Sequence, residues 1–304
     1  MAHWKLVAGS ALVAALALAA PISTSAQVPG PDLSLMTSQR ATDAEVVAPA
    51  PAVELDTSRF ELSSAIFVGR PGGYVRVGEN GNRGSKLRLN DDLNIVLSES
   101  VDASAAFRFT PRDAIRATFL YYFLRGRGLL DRPATFNDEV FTLPGHLTID
   151  TDFYRIGLQY ERTTIVPGGL LTGIVGLTYV HLAPKVSGHG HSNTEDFSRE
   201  ELPVPLVGLR FDIPMGNGFA ARASVIGGGL PRVNSGRKEA GSTVYLEQIN
   251  GEASMALTYA TTKNVLFDIG PRLTYFFQKE KSQREYNAFE LVDIGLRAGV
   301  TLRF

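Results

Sequence analysis

From Val292 to Phe304 the chain is apolar at every second position, without a break over thirteen residues. Val292, Ile294, Leu296, Ala298, Val300, Leu302 and Phe304 stand on one side of an extended chain. Asp293, Gly295, Arg297, Gly299, Thr301 and Arg303 stand on the other. A period of two is the mark of a β-strand with one apolar and one polar face. The same pattern recurs upstream. Val101, Ala103, Ala105, Phe107 and Phe109 oppose Asp102, Ser104, Ala106 and Arg108, and Ile115, Ala117, Phe119, Tyr121 and Phe123 oppose Arg116, Thr118 and Tyr122. Tyr154, Ile156, Leu158 and Tyr160 oppose Arg155, Gly157, Gln159 and Glu161, and Val207, Leu209, Phe211 and Ile213 oppose Gly208, Arg210 and Asp212. Tyr245, Ile249, Ala253, Met255, Leu257 and Tyr259 oppose Asn250, Glu252, Ser254 and Thr258. Val265, Phe267, Ile269, Leu273, Tyr275 and Phe277 oppose Asp268, Gly270, Arg272 and Thr274.

The polar faces decide which solvent the apolar faces meet. The water-facing side of a soluble sandwich is usually rich in Lys, Glu and Thr. Here lysine is nearly absent from the strand interiors, whereas Arg, Asp, Glu, Gly, Ser and Thr recur. An enclosed polar lumen with paired charges accounts for this, and the apolar band then faces lipid. Strands that cross a membrane must close into a barrel to satisfy every backbone group. Two residues resist the pattern. Glu247 falls on an apolar face, which places it near or beyond an interface. Pro271 lacks a ladder donor, which predicts a local bulge.

Short turns at "TPRD" (110–113), "TTIVPGG" (163–169), "PMGNG" (214–218) and "TTKN" (261–264) alternate with longer polar segments near 78–99, 128–146, 185–200, 230–241 and 280–287. Outer-membrane barrels have short periplasmic turns and longer external loops. Four turns and five loops predict an all-β, closed antiparallel transmembrane barrel of about ten strands, with both ends in the periplasm. Eight strands remain the alternative if two segments lie outside the barrel.

Residues 1–26 carry Lys5, an apolar stretch from Leu6 to Ala20, and small residues at Thr24 and Ala26. This reads as a secretory signal peptide cleaved before Gln27, with a retained anchor as the competing reading. Residues 27–57, with "APAPA" at 48–52, read as a flexible periplasmic leader, and 58–304 as the barrel. The segment from Thr163 to Pro184 holds no charged residue, but Pro167 and its glycines favour a turn and a strand over a membrane helix. Zero cysteines exclude disulfides and thiolate metal sites. The near-balance of 30 Lys and Arg against 31 Asp and Glu argues against nucleic acid as a partner.

The terminal strand resembles the C-terminal recognition signal of bacterial outer-membrane proteins, in which a terminal aromatic residue, here Phe304, and alternating apolar residues are read by the barrel-assembly machinery. "SKLRLNDDLNI", the paired strands, "ELPVPLVGLRFDIP" and the final "LRF" resemble a broad group of small proteobacterial outer-membrane β-barrels over roughly 60–304. The resemblance implies the fold, a Gram-negative outer-membrane location, and contact with outer-membrane lipid and lipopolysaccharide. It implies no substrate and no cofactor.

The candidate lumen charges are Arg108, Arg116, Arg155, Arg210, Asp212, Arg222, Glu252, Asp268, Arg272, Asp293 and Arg297. They either line a pore or interlock and close the lumen. The mixed signs favour a packed lumen. His189, His191, Glu195 and Asp196 have metal-ligating side chains, but a glycine-rich loop favours a solvated segment. "HSN" at 191–193 resembles the His-x-Ser-Asn motif of outer-membrane lipid A deacylases, yet His191 directly precedes Ser192, so the spacing fails. Asp91 and Asp92 resemble aspartates of ten-stranded outer-membrane proteases, but the accompanying Asp-x-His pair is missing, and a turn role is expected. The sequence therefore favours a non-enzymatic barrel with a structural, adhesive or surface-exposed role. A narrow, porin-like channel for small solutes is the alternative, and a lipid hydrolase or protease the weaker one.

Overall fold

The computed structural model describes residues 55–142, 145–188, 191–194, 202–239 and 241–304; the signal segment and most of the leader lie outside them. The strands are β1 (Phe60–Gly78), β2 (Leu87–Arg88), β3 (Ser98–Arg108), β4 (Asp113–Leu129), β5 (Ala134–Phe136), β6 (Glu139–Phe141), β7 (His146–Val166), β8 (Gly169–Gly188), β9 (His191–Thr194), β10 (Val204–Gly216), β11 (Phe219–Glu239), β12 (Ser242–Thr262), β13 (Val265–Lys281) and β14 (Tyr286–Arg303). Ten of them close into an antiparallel ring in the order β1, β3, β4, β7, β8, β10, β11, β12, β13, β14 and back to β1. Glu61↔Arg303 through Gly78↔Tyr286 seals the ring between β1 and β14. The eight-strand alternative falls away. Closure leaves no open edge, which a chain in lipid requires.

The side chains sort by face. Val101, Phe107, Ile115, Phe119, Ile156, Leu158, Val207, Leu209, Leu257, Phe267, Ile269, Ile294 and Leu296 are exposed on the outside. Aromatic pairs rim this band at the turn end: Phe60 and Phe107 lie 5.2 Å apart, and Phe219 and Tyr259 lie 4.7 Å apart. On β13 the outward aromatics Phe267 and Phe277 bracket a stretch of roughly 33 Å along the strand, or about 25 Å once tilted, matching the apolar height of a membrane barrel.

The strands are longer than the membrane demands. β7, β11 and β12 have 21 residues each, about twice the 9–11 that cross a bilayer. The excess lies at the loop end, and this corrects two expected loops. Residues 230–239 belong to β11 and pair with β12 at Leu230, Val233, Asn234, Lys238 and Glu239, and the 280–287 connection shrinks to a turn between Lys281 and Tyr286. Beyond the lipid an outward side chain meets water, so the strand continues without apolar alternation.

The expected bulge at Pro271 is absent. The ladder to β12 skips Met255 and Ala256 there but resumes in the same register, and Pro271 stays paired with Leu296. The missing donor therefore falls in the skipped rungs. Register shifts occur instead between Pro214 and Gly216 of β10, between Ala260 and Thr262 of β12, and twice in β11, once across Pro231.

β3 and β10 are short, with 11 and 13 residues. Their missing loop-end halves are replaced from the connections. β2 pairs with β1 through Val75↔Leu87, and β9 pairs with β8 through Ser187↔Ser192. Residues 87–95 lean against the inner side of β4, where a Cβ on Gly126 or Gly128 would overlap the Leu93 or Asp92 carbonyl. Glycine is required there by close backbone approach.

Candidate functional site: the barrel lumen

Inward alternation places three tiers in the lumen. At the turn end, Glu161 of β7 is 4% exposed and accepts from two guanidiniums. Arg116 Nε donates to its Oε1 at 2.7 Å, and Arg210 donates to its two oxygens at 3.1 and 3.0 Å. Arg116 Nη2 also donates to Glu61 Oε1 at 2.7 Å. Arg303 Nε lies 3.3 Å from Glu61 and 3.1 Å from Asp56, and Arg108 Nη2 lies 3.1 Å from Asp56. Arg222 Nε donates to Asp212 Oδ1 at 2.6 Å, and Arg210 Nε lies 3.4 Å from the same carboxylate.

The middle tier bridges the lumen. Arg155 of β7 reaches Glu252 of β12 at 3.1 Å. Arg272 of β13 donates to Asp102 of β3 at 2.5 Å and to Ser100 at 2.7 Å, with its guanidinium 4.0 Å from the Phe67 ring centroid. Arg297 pairs with Asp268 and lies 3.4 Å from Asp102. Asp293 is fully buried and accepts from Ser98 Oγ at 2.6 Å.

The loop-end tier holds an apolar, largely aromatic cluster that the reading of a polar lumen did not anticipate, beside buried polar side chains such as Gln248, Gln278, Glu280 and Asn287. Phe153 of β7 stacks on Tyr122 of β4 at 5.3 Å and meets Phe276 of β13 and Phe289 of β14 at 4.9 and 6.2 Å. These strands stand on opposite walls, so the aromatic cluster spans the lumen. Leu87, Leu89, Leu93 and Ile95 of the first long connection complete it, each at most 1% exposed. Phe136 and Phe141 of the β5–β6 hairpin join the same core. The hairpin is tied down by Ser85 N donating to Thr135 O at 2.7 Å and Asn137 N donating to Val77 O at 3.2 Å.

The eleven charges singled out from sequence thus all point inward, and the structure adds Asp56, Glu61, Asp102, Glu161 and Arg303. Eight arginines meet seven carboxylates, and Asp293 is held by Ser98. Glu161 stood on a recognisably polar face, but a partner across the lumen cannot be read from one strand. The aromatic cluster did leave a signal. At Tyr121–Tyr122–Phe123, Phe153–Tyr154 and Phe276–Phe277 both faces of the strand are aromatic.

Asp91 and Asp92 occupy a turn: Arg88 N donates to Asp92 Oδ2 at 2.7 Å and Arg88 Nη1 lies 3.0 Å from Asp91. His191–Thr194 is the short strand β9 rather than a loop. His189, Glu195 and Asp196 lie outside the described residues. Among the described residues no group of three or more His, Asp or Glu side chains has a metal-holding arrangement.

No protein-family model matches the chain, and no curated protein matches it. Among solved structures it is similar to the outer membrane protease OmpT from Escherichia coli, at 12% identity over 83% of this chain and 100% of that one, with a TM-score of 0.48. It is similar to the translocator domain of the autotransporter NalP from Neisseria meningitidis, at 15% identity over 82% and 90% of the two chains, with a TM-score of 0.38. An outer membrane channel from Pseudomonas putida F1 is 10% identical over 84% of this chain and 100% of that one, with a TM-score of 0.37. Likeness at this level says nothing about activity.

Proposed function

We propose that the chain is exported by removal of residues 1–26 and resides in the outer membrane of a Gram-negative cell as a closed barrel with a structural or surface-exposed role that is not enzymatic. Phe304 acts as a sorting residue for the barrel-assembly machinery, and residues 27–57 trail in the periplasm. The exposed apolar band and its aromatic rim support the membrane setting. The observation that carries the closed reading is the cluster Tyr122, Phe153, Phe276 and Phe289, which meets across the lumen and is backed by Leu87, Leu89 and Leu93. Buried side chains that meet across the lumen at this level support a lumen closed to hydrated solutes. The purified protein is expected to show no steady conductance in planar bilayers. Steady ohmic steps from the wild-type chain would replace this reading with the narrow channel. One observation favours that second reading: Arg222 of the turn-end tier and Arg297 of the middle tier keep 30% and 26% side-chain exposure, so the lumen is wetted from the turn end up to the plug that the aromatic cluster forms.

A further inference from the structure

The cations of this barrel differ in their partners: besides exposed pairs such as Arg125 with Asp150, two groups stand out. Each lumen arginine meets a carboxylate. Outside, at the loop end, Arg83, Lys86, Lys279, Lys281 and Arg284 form no salt bridge among the described residues, although Glu247 stands opposite Lys279 and Glu290 stands opposite Tyr74, which Lys86 covers; all but the half-buried Lys279 are exposed. They are neighbours. Lys279 and Lys281 point outward on β13, and Lys281 stands opposite Tyr286 of β14. Lys279 Nζ and Arg83 Cζ lie 5.5 and 5.8 Å from the Tyr286 ring centroid. Lys86 Nζ lies 3.9 Å from the Tyr74 ring centroid on β1. Gly81 N donates to Arg284 O at 3.1 Å, which pins the 79–86 connection against the β13–β14 turn. Glu247 and Glu290 share the outward side and leave the cations in excess.

The level of the patch gives it a partner. Tyr275 and Phe277 stand on the outward side of β13, immediately on the membrane side of Lys279 and Lys281. Aromatic belts sit at the headgroup level, and cations just beyond one meet lipid phosphates. Aromatic faces hold the ammonium and guanidinium groups in place without neutralising them. We propose that this patch binds the phosphorylated headgroup of an outer-leaflet lipid. The inference rests on the membrane-spanning reading with the loop end outward.

The test uses the full mature chain, folded in neutral detergent and checked by its heat-modifiable gel shift. Immobilised protein is titrated with labelled bis-phosphorylated lipid A and with the same lipid after dephosphorylation. The phosphorylated form is expected to bind selectively. The pair Lys279→Gln with Lys281→Gln should lose about 30-fold in affinity, as two headgroup-level cations removed. The pair Arg83→Gln with Lys86→Gln should lose a similar factor, and Lys263→Gln at the turn end should lose nothing. Equal binding of the dephosphorylated lipid, or wild-type affinity in both double variants, overturns the proposal. Displacement by low concentrations of inorganic phosphate would make the patch a free-anion site and overturn it equally. A failure of the membrane reading would show separately, as a wild-type chain that gains no gel shift with lipid vesicles.

Discussion

Glu161 is the sharpest point at which burial, rather than the number of ion pairs, can be shown to matter. It is 4% exposed and holds Arg116 at 2.7 Å and Arg210 at 3.0 Å. Glu161→Gln keeps the volume, removes the charge and turns an NH2 group toward two donors. Arg116 retains Glu61, and Arg210 retains only the 3.4 Å contact with Asp212. Breaking a buried pair costs about 3–5 kcal/mol, and the retained partners place this loss near the lower limit, at about 3 kcal/mol. The same molecule supplies its own control. Asp150 pairs with Arg125 at 3.0 Å, but the two side chains are 57% and 69% exposed. Asp150→Asn makes the same chemical change in water and should leave stability unaltered. Both are measured by equilibrium urea titration of protein folded into lipid vesicles, with the gel shift as readout. Adding Arg210→Met to Glu161→Gln should recover part of the loss by removing the stranded cation. If the two acid substitutions move the midpoint equally, the lumen network is as weak as a surface pair and the packed-lumen reasoning fails.

Ile269→Arg places a charge on the lipid face, where the wild-type side chain is 56% exposed; it should cost ~2–4 kcal/mol near the bilayer midplane, and wild-type folding in vesicles would mean that this face meets water. Gly128→Val fills the space where residues 92–93 approach β4, so it should free the 79–97 connection and raise its protease cleavage, while a cut rate equal to wild type would refute the docked arrangement. Trp4 is the one tryptophan, so the secreted, processed protein should emit tyrosine fluorescence only, and tryptophan emission from it would contradict cleavage at 26.

Alternation was readable where lipid constrained one face of a strand and the lumen the other. On β13, Phe267 and Ile269 are exposed outside while Asp268 and Arg272 are 8% and 2% exposed inside, as the period of two requires. Where water replaced lipid the constraint vanished. The loop-end part of β11, "PRVNSGRKE", reads like a loop because its outward positions need not be apolar, yet Val233, Asn234, Lys238 and Glu239 pair with β12. The plug was illegible for a different reason. Leu87, Leu89 and Leu93 belong to a connection that looks like an ordinary polar loop, and only the approach of β4 at Gly126 and Gly128 shows where they go. Pairings such as Arg155 with Glu252 link strands far apart in the ring, and no single-strand pattern encodes them.

The partition of the cations has one physical origin. Every cation paired inside the lumen is an arginine, and every described lysine lies on outward or loop positions. A lumen wall fixes each side chain at its root, so a cation must satisfy partners on several strands from one position. Arg116 does so for Glu161, Glu61 and Ser104, from β7, β1 and β3. A planar guanidinium with five donors can span such a set, and it stays charged when buried. A lysine there would meet one or two acceptors and leave the others stranded in a desolvated site. Arg116→Lys should therefore destabilise the barrel nearly as much as Arg116→Met. Lys281→Arg, in water at the loop end, should be neutral in the same urea titration. Equal tolerance of lysine at both positions would show that the lumen requires charge alone and that the fork geometry is incidental.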